Sequence, residues 1–314
     1  MVSWFVASSA WCAEDWYWQG RGQLLFKDYS GSTQLKGLSG LGVFFSGDYL
    51  ERWGVAAGYN FNRTRYQSGL TNAPQYINEN IFLISGKRSF YPDSLPGKVS
   101  LRLDAYVGKN ATSTRITIAG PPMGGGSSHQ TTTTNDKVMV ANPIVSFLNY
   151  DKTFYLDLGY AYSTYRSDDS GTDDIDVAQW TPTLGFGFNR AYDWLQLRAY
   201  FIHLSSSNRV GDKQASSALE ARWTHWFSGD APLGLHNVSL TMLSGERIYA
   251  VDSDAFSLYS VSDLQTATIS IGAGWNLSEQ TSVLVQGGHE AYKDILLNDR
   301  YSSIYLYASL SQNW

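Results

Sequence analysis

The sequence predicts an all-β protein, a closed, antiparallel, up-and-down transmembrane β-barrel of about fourteen strands. Three observations predict this fold. Apolar residues alternate with small or polar ones along most of the chain, short turns alternate with longer polar loops, and the chain ends on an aromatic residue. Alternation with a period of two is typical of strands whose two faces meet different surroundings.

The alternation is clearest at residues 98–108, where Val, Leu, Leu, Ala and Val share one face and Ser, Arg, Asp, Tyr and Gly share the other. Residues 153–163 repeat the pattern, whereas stripes with the helical period of 3.6 are not evident. Further segments with this alternation lie near residues 176–189, 195–204, 215–227, 236–248, 265–277 and 281–292. The chain is therefore expected to consist of strands.

Composition excludes several other classes of protein. Only 16% of the 314 residues are charged while 15% are aromatic, which is unlike a disordered chain. The net charge of −5 offers no basic footprint for nucleic acid. No apolar run approaches the roughly 18 residues that a membrane-spanning helix needs.

The N-terminal segment resembles the end of a secretory signal peptide. Residues 1–12 are uncharged and largely apolar, with small residues near Ala10 where a peptidase could cleave. The alternative is a short buried strand or helix. We expect residues 13–314 to form a single barrel domain. Since Cys12 is the only cysteine, that domain would hold no disulfide or thiolate–metal site, and no motif for a cofactor or metal is evident.

The connections between strands fall into two alternating sets. Six are short turns, at residues 47–51, 91–97, 150–152, 191–193, 228–232 and 276–280. Seven are polar and usually longer loops, at residues 29–37, 67–75, 110–136, 167–175, 207–213, 251–262 and 294–299. Short turns at one rim and longer loops at the other are typical of an outer-membrane barrel.

The chemistry of the two faces favours a membrane barrel over a soluble β-sandwich. The non-apolar face is rich in Gly, Ser, Thr, Gln and Tyr and poor in Lys, which suits an enclosed wet lumen. Closure also leaves no unpaired backbone in hydrocarbon. Tryptophans near strand ends are expected to form interfacial girdles: Trp18, Trp53, Trp180, Trp223 and Trp275.

The last strand carries the most specific signal. Ile304, Leu306 and Leu310 share a face with the terminal Trp314. An alternating strand that ends on an aromatic residue resembles the C-terminal assembly signal of bacterial outer-membrane β-barrel proteins, including porins. This resemblance implies a Gram-negative outer-membrane location. It also implies the barrel assembly machinery, outer-membrane lipid and lipopolysaccharide as partners.

The inward face would then line a passage of modest width. Its charged residues are expected to be Arg21, Arg102, Asp104, Asp157, Arg198, Glu220, Arg222 and Glu290. Opposed charges can orient hydrophilic solutes, which predicts a channel or export conduit for small hydrophilic solutes. The alternative is that the charges only pair across strands, Arg102 with Asp157, and Arg198 with Glu220 and Arg222.

Two loops admit more than one interpretation. The loop at 110–136, glycine-rich in its middle, could fold inward and narrow the pore, but an exposed loop is favoured. The loop at 167–176 holds five aspartates, yet their spacing matches no calcium-binding loop. A solvated acidic loop is favoured there.

His203 and Ser205 suggest an enzymatic alternative. Outer-membrane lipid hydrolases of the phospholipase A and PagL types carry a similar His-x-Ser pair on the outward face, with His as base and Ser as nucleophile. Those families place Asn directly after the Ser, whereas this chain has Ser206. The sequence therefore favours a non-enzymatic barrel. A protein with a plugged lumen whose loops bind a partner is the other alternative.

Overall fold

The described part of the structure, a computed structural model, contains sixteen strands. Those that form the first half of the barrel are β1 (Trp16–Ser30), β2 (Leu35–Tyr49), β3 (Trp53–Tyr66), β4 (Pro74–Phe90), β5 (Gly97–Ile118), β6 (Ser128–Asn149), β7 (Phe154–Ser167) and β8 (Ile175–Phe188). A 3₁₀ turn (Asn189–Ala191) follows. The remaining strands are β9 (Asp193–Leu204), β10 (Ala215–Trp226), β11 (Leu235–Arg247), β12 (Val251–Asp252), β13 (Ser257–Leu258), β14 (Leu264–Asn276), β15 (Thr281–Lys293) and β16 (Arg300–Asn313).

The structure describes only part of the chain, and every statement below concerns that part. It covers residues 16–67, 74–118, 128–169, 172–205, 209–211, 213–228, 231, 234–254, 257–258 and 263–314. The predicted signal remnant at residues 1–12 lies outside the described residues. Within them, no helix is both long and apolar enough to cross a membrane.

Fourteen strands close into one antiparallel barrel, and β12 and β13 pair only with each other. Each wall strand pairs with its neighbours in the chain, and β11 pairs with β14 across the β12–β13 hairpin. The first strand pairs with the last, from Gln19 opposite Asn313 to Ser30 opposite Ser302. The predicted fold class and strand number are confirmed, and closure leaves the wall without a free sheet edge.

The outer face is apolar, as the alternation predicts. Leu101, Leu158 and Leu306 are 51%, 41% and 52% exposed, and they point away from the lumen. Large exposed apolar side chains in such numbers would be unstable in water, whereas against lipid chains they need no cover.

The predicted girdle tryptophans lie at two heights. Trp18, Trp53, Trp223 and Trp275 fall near the strand ends that carry the short turns. Trp180 lies nearer the long-loop end of β8, where its ring contacts Tyr160 with centroids 4.6 Å apart.

The connections alternate between the two rims as expected, but the longest one is not a loop throughout. Strands β5 and β6 each contain 22 residues and remain paired as far as Ile118 opposite Ser128. Most of the predicted loop at 110–136 is therefore a two-stranded ribbon that continues the wall. Its Thr-rich part (residues 131–134) fits a strand because β-branched side chains favour extended backbone. Residues 119–127 lie outside the described part of the chain.

The inner face is not polar throughout, which corrects the sequence prediction. Leu83, Tyr106, Val140, Val177 and Ile202 point inward and are at most 4% exposed. Binary patterning misses Leu83 and Val140 because their neighbours on the outer face are also apolar. Apolar side chains inside a wet barrel need a cover, and the segment after β11 provides it.

Candidate functional site

The described residues between β11 and β14 fold into the barrel. The sequence predicts an outward loop at 251–262. Instead, residues 248–254 and 257–258, here called the luminal hairpin, pack against the inner wall. Ile248, Tyr249, Ala250 and Val251 are at most 4% exposed, and the Tyr249 ring meets Tyr165 edge to face at 4.8 Å. Burial of each large apolar side chain contributes roughly 1.5–3 kcal/mol, so apolar packing fixes the base of the hairpin.

Amide side chains on the wall hold the backbone of the hairpin. Gln179 on β8 donates from Nε2 to the Val251 carbonyl oxygen at 2.8 Å and accepts from the Val251 N–H at 3.0 Å. Asn142 on β6 donates from Nδ2 to Ser253 Oγ at 2.8 Å. Both amides are 2% exposed, and their bonds satisfy polar groups that burial would otherwise leave unpaired.

The tip of the hairpin, Asp252-Ser253-Asp254, meets arginines of the wall. Arg198 Nη2 lies 2.6 Å from Asp254 Oδ2, and Arg198 Nη1 lies 3.7 Å from Asp252 Oδ1. Arg222 Nη1 lies 3.7 Å from the same Asp254 oxygen. Charge pairing in this enclosed space is stronger than at a water-exposed surface.

The charged partner that the structure shows for Arg102 differs from the cross-strand partner expected from the sequence. Arg102 binds Asp104 on its own strand, with its Nη2 2.8 Å from Oδ2. It also donates to the Ser253 carbonyl oxygen at 3.2 Å. Asp157 instead accepts from the Tyr155 hydroxyl at 2.7 Å. Because alternate residues share a face, a partner two positions away competes with one on a neighbouring strand.

The second expected pairing, of Arg198 with Glu220 and Arg222, is found only in part in the described contacts. Arg198 stands opposite Glu220 in the register, yet its guanidinium binds the hairpin. Glu220 instead pairs with Arg222, whose Nη2 lies 3.2 Å from Oε1. Arg198 is therefore a buried cation whose closest carboxylates come from a segment more than fifty positions later in the chain.

A second polar network lies across the lumen, where β1 meets β14–β16. Glu290, which is 4% exposed, accepts four hydrogen bonds. The donors are Lys27 Nζ at 2.6 Å, the Tyr292 hydroxyl at 2.6 Å, Ser303 Oγ at 3.0 Å and Gln265 Nε2 at 3.0 Å. Without these hydrogen bonds, burial of the Glu290 carboxylate would cost a large amount of free energy.

Gln265 links this network to the hairpin. Its Oε1 accepts from Arg247 Nε at 2.9 Å and from Arg247 Nη2 at 2.6 Å. Arg247 Nη1 in turn lies 4.0 Å from Asp252 and 3.9 Å from Glu220. Polar contacts thus continue around the lumen from β1 to β10.

A cavity of about 2210 Å³ occupies the rest of the lumen. Lys152, Trp226 and Glu279 line it at the short-turn rim, and Asp173 and Arg209 line it near the long-loop rim. The hairpin borders the cavity with its tip, so the passage is narrowed from the side of β5–β11.

The eight predicted pore-lining charges divide into two groups. Arg21, Arg102, Glu220, Arg222 and Glu290 border the cavity. The other three are Asp104, Asp157 and Arg198, which face inward but are at most 9% exposed. The hairpin residues Asp252 and Asp254 and their amide anchors were not among the predicted site residues.

At the long-loop rim, Asp263 accepts a hydrogen bond from the Tyr301 hydroxyl. Burial raises the pKa of Asp263 to about 6, and the nearby carboxylates of Asp294 and Asp299 act in the same direction. This carboxyl group therefore gains or loses its proton at mildly acidic pH.

The acidic segment at 167–176 uses its carboxylates in local contacts. Asp168 accepts from the Asn135 backbone N–H at 2.6 Å and from its side chain at 2.7 Å. Arg166 Nη2 lies 2.7 Å from Asp176. Within the described ranges, no group of three or more His, Cys, Asp or Glu side chains could hold a metal ion.

His203 and Ser205 do not form a catalytic pair in the described part of the structure. His203 is exposed on the outer face of β9. The Ser205 hydroxyl accepts from the Asp176 backbone N–H at 2.8 Å, and no hydrogen bond joins it to the His203 ring. The hydrolase alternative therefore gains no support from this geometry.

Comparisons with known proteins identify the architecture. No family model and no curated protein matches the sequence. The toluene transporter TodX of Pseudomonas putida is similar, with a TM-score of 0.55 and 10% identity over 96% of this chain and 91% of that chain. A TodX mutant named as a monoaromatic hydrocarbon channel gives a TM-score of 0.57 at 10% identity, with the same coverage. A Pseudomonas aeruginosa FadL homologue gives 0.53 at 10% identity over 95% and 89%.

The fold is that of a bacterial outer-membrane β-barrel. At identities of 10%, these likenesses show the fold alone. The resemblance inferred from the alternation and the aromatic C-terminus is confirmed, and the apolar outer face places the chain in the outer membrane.

Proposed function

We propose that this protein is an outer-membrane channel that passes small hydrophilic solutes through a lumen narrowed by the luminal hairpin. The observation that carries the proposal is the cavity of about 2210 Å³, which is bordered by charged residues and by residues of both rims. A barrel of fourteen strands is wider than an eight-stranded one, whose interior is filled by its own side chains.

Neutral polar groups along the cavity support passage of hydroxylated solutes. Gln23 donates to Asn60 at 3.0 Å and accepts from the Tyr307 hydroxyl at 3.0 Å. Gln286 donates to the Tyr305 hydroxyl at 3.0 Å. Such amide and hydroxyl groups can exchange their partners for a passing solute at small cost.

A channel for apolar solutes is the second candidate. The similar structures include a toluene transporter and a hydrocarbon channel, and this chain has apolar side chains on its inner wall. These side chains, Leu83 and Tyr106 among them, lie in the cluster that the hairpin residues cover. The groups that border the open cavity at the tip are charged, which favours hydrophilic solutes.

A third candidate is a plugged barrel that acts through its loops, and the inserted hairpin favours it over an open structural barrel.

Measurements of conductance and of solute uptake distinguish the three candidates. We expect purified protein to give single-channel currents in planar bilayers and to admit small neutral sugars such as arabinose into liposomes. Absence of both currents and uptake would reject the channel. Binding of toluene to the purified protein without uptake of arabinose would favour the apolar candidate.

A further inference from the structure

The tip of the luminal hairpin occupies a site that is built for carboxylates. Arg198 Nη2 and Nη1 lie 2.6 Å from Asp254 and 3.7 Å from Asp252, and Asp254 also lies 3.7 Å from Arg222. Gln196 Nε2 lies 3.5 Å from the same Asp254 oxygen. The planar guanidinium group suits two oxygens at once, so this arrangement matches a carboxylate more closely than a neutral group.

The wall at this point has an excess of positive charge before the hairpin is counted. Its described charged groups are four arginines (Arg102, Arg198, Arg222 and Arg247) and three acids (Asp104, Asp157 and Glu220). The two aspartates of the tip more than balance this excess of one positive charge. The hairpin thus provides the arginines of the wall with negative charge, as a small organic anion would.

The site faces the open lumen. Arg102, Arg222, Gln196, Ser253 and Asp254 all border the cavity, whereas Arg198 lies behind the tip at 4% exposure. A solute in the cavity therefore reaches Asp254 and its partners directly. Arg198 is a buried cation aimed at this position, and a buried cation needs a partner at all times.

The tip and the base of the hairpin are held by different forces. The base is apolar and packs on the wall through Ile248, Tyr249 and Val251. The tip (residues 252–254) is polar, and the Asp254 N–H donates to Asp252 Oδ1 at 3.1 Å. A carboxylate that enters can take over the ion pairs of the tip, whereas nothing replaces the apolar packing of the base, so the tip can leave while the base stays packed.

We infer that Arg198, Arg222 and Arg102 form a luminal binding site for small carboxylate solutes, and that the tip of the hairpin is an internal mimic which such a solute displaces. This inference rests on the proposed channel function and narrows its solute class. A solute that binds would replace the charges of Asp252 and Asp254 and open the passage beside the tip. Binding energy then offsets the cost of moving the tip.

Calorimetric titration of the detergent-purified protein with succinate tests the site without requiring a current. We expect succinate to bind the wild type and 1,4-butanediol, its neutral analogue, not to bind. Asp254→Asn removes the competing carboxylate that lies closest to Arg198 and should tighten succinate binding about tenfold, since succinate then competes with one charge of the tip instead of two. Arg198→Gln should weaken it by about tenfold or more.

Two further variants keep the outcome interpretable. Arg222→Gln, at the cavity surface, should weaken binding in the same direction if Arg198→Gln fails to fold. Arg166→Gln is the matched control, because it removes an Arg–Asp pair outside the lumen and should leave binding unchanged. Equal affinity of Asp254→Asn and wild type, or succinate heats no larger than those of butanediol, would overturn the inference. Succinate binding in a protein that carries no current would reject the channel and leave the site standing.

Discussion

Gln179 on the barrel wall and Val251 on the luminal hairpin form two hydrogen bonds. The Gln179 amide donates to the Val251 carbonyl oxygen and accepts from the Val251 N–H. In this pairing, a side-chain amide forms the two hydrogen bonds that the backbone of a neighbouring strand would form in a β-ladder. It explains how a segment with only two short strands of its own remains fixed inside a barrel.

The first prediction concerns this anchor. Gln179→Ala leaves both backbone groups of Val251 without their partner, at a cost of about 1–3 kcal/mol for each buried group. We expect the hairpin to loosen and chymotrypsin to cleave after Tyr249 at least several-fold faster. Gln280→Ala, at the exposed short-turn rim, serves as control. Equal cleavage of the wild type and Gln179→Ala would contradict the assigned anchor.

The second prediction concerns Glu290 and Lys27, whose charged atoms lie 2.6 Å apart. Glu290→Gln leaves the Lys27 ammonium group buried without its counter-charge and should lower the free energy of unfolding by about 3–5 kcal/mol. The double variant Lys27→Met/Glu290→Gln removes the stranded charge and should recover part of that loss. Urea unfolding in detergent measures both. A double variant whose loss of stability equals or exceeds the sum of the losses of the two single variants would disprove the coupling.

The third prediction is a pH dependence set by Asp263. Its pKa in the folded protein is about 6, above the value of 3.8 for an unperturbed Asp. The unfolded chain therefore releases this proton first, and raising the pH favours unfolding. The stabilisation that protonated Asp263 provides is fully present below pH 3.8 and is lost as the pH rises through 6. It amounts to at most about 3 kcal/mol in the free energy of unfolding.

Asp263→Asn removes this dependence. We expect the melting temperature of the variant minus that of the wild type to increase between pH 4 and pH 8, with most of the change between pH 4 and pH 6. A difference that stays constant over this range would show that Asp263 does not titrate as described.

The fourth prediction concerns closure of the barrel at the C-terminus. Trp314 and Trp18 exchange backbone hydrogen bonds at 3.0 and 3.1 Å, and a Cβ atom on Gly20 would lie 2.8 Å from Trp314 Cη2. Gly20→Val should push the terminal ring aside and slow assembly, seen as a smaller heat-modifiable folded fraction on gels. Gly22→Val is the matched control, since nothing lies within 4 Å of a Cβ atom there. Equal folded fractions would contradict a role for this contact.

The sequence is sufficient to predict the wall of this barrel. Leu101 and Leu158 repeat with a period of two because lipid on one side and the lumen on the other impose two different surroundings on each strand. The order of short turns and long loops follows from the same up-and-down path. These features are local, and a local pattern can reveal them.

The luminal site is not local, and the sequence could not reveal it in the same way. Arg198 and Asp254 meet only because the chain after β11 turns inward, and nothing in the strand pattern requires that turn. The available signal was the apolar run Ile248-Tyr249-Ala250-Val251 just before an acidic turn, in a place where the other loops are polar. Inward apolar residues such as Leu83 indicate that something must cover the wall.

A reversible lock on the hairpin tip tests the central claim most directly. Asn142 Nδ2 and Ser253 Oγ lie 2.8 Å apart, so the thiols of Asn142→Cys/Ser253→Cys in a Cys12→Ser background can be joined by a short bis-methanethiosulfonate cross-linker, which a reductant removes. In planar bilayers we predict a low single-channel conductance when the tip is locked, and a higher one with larger opening fluctuations after a reductant is added. Conductance that is identical before and after reduction would contradict the assignment of the hairpin as the constriction of a channel.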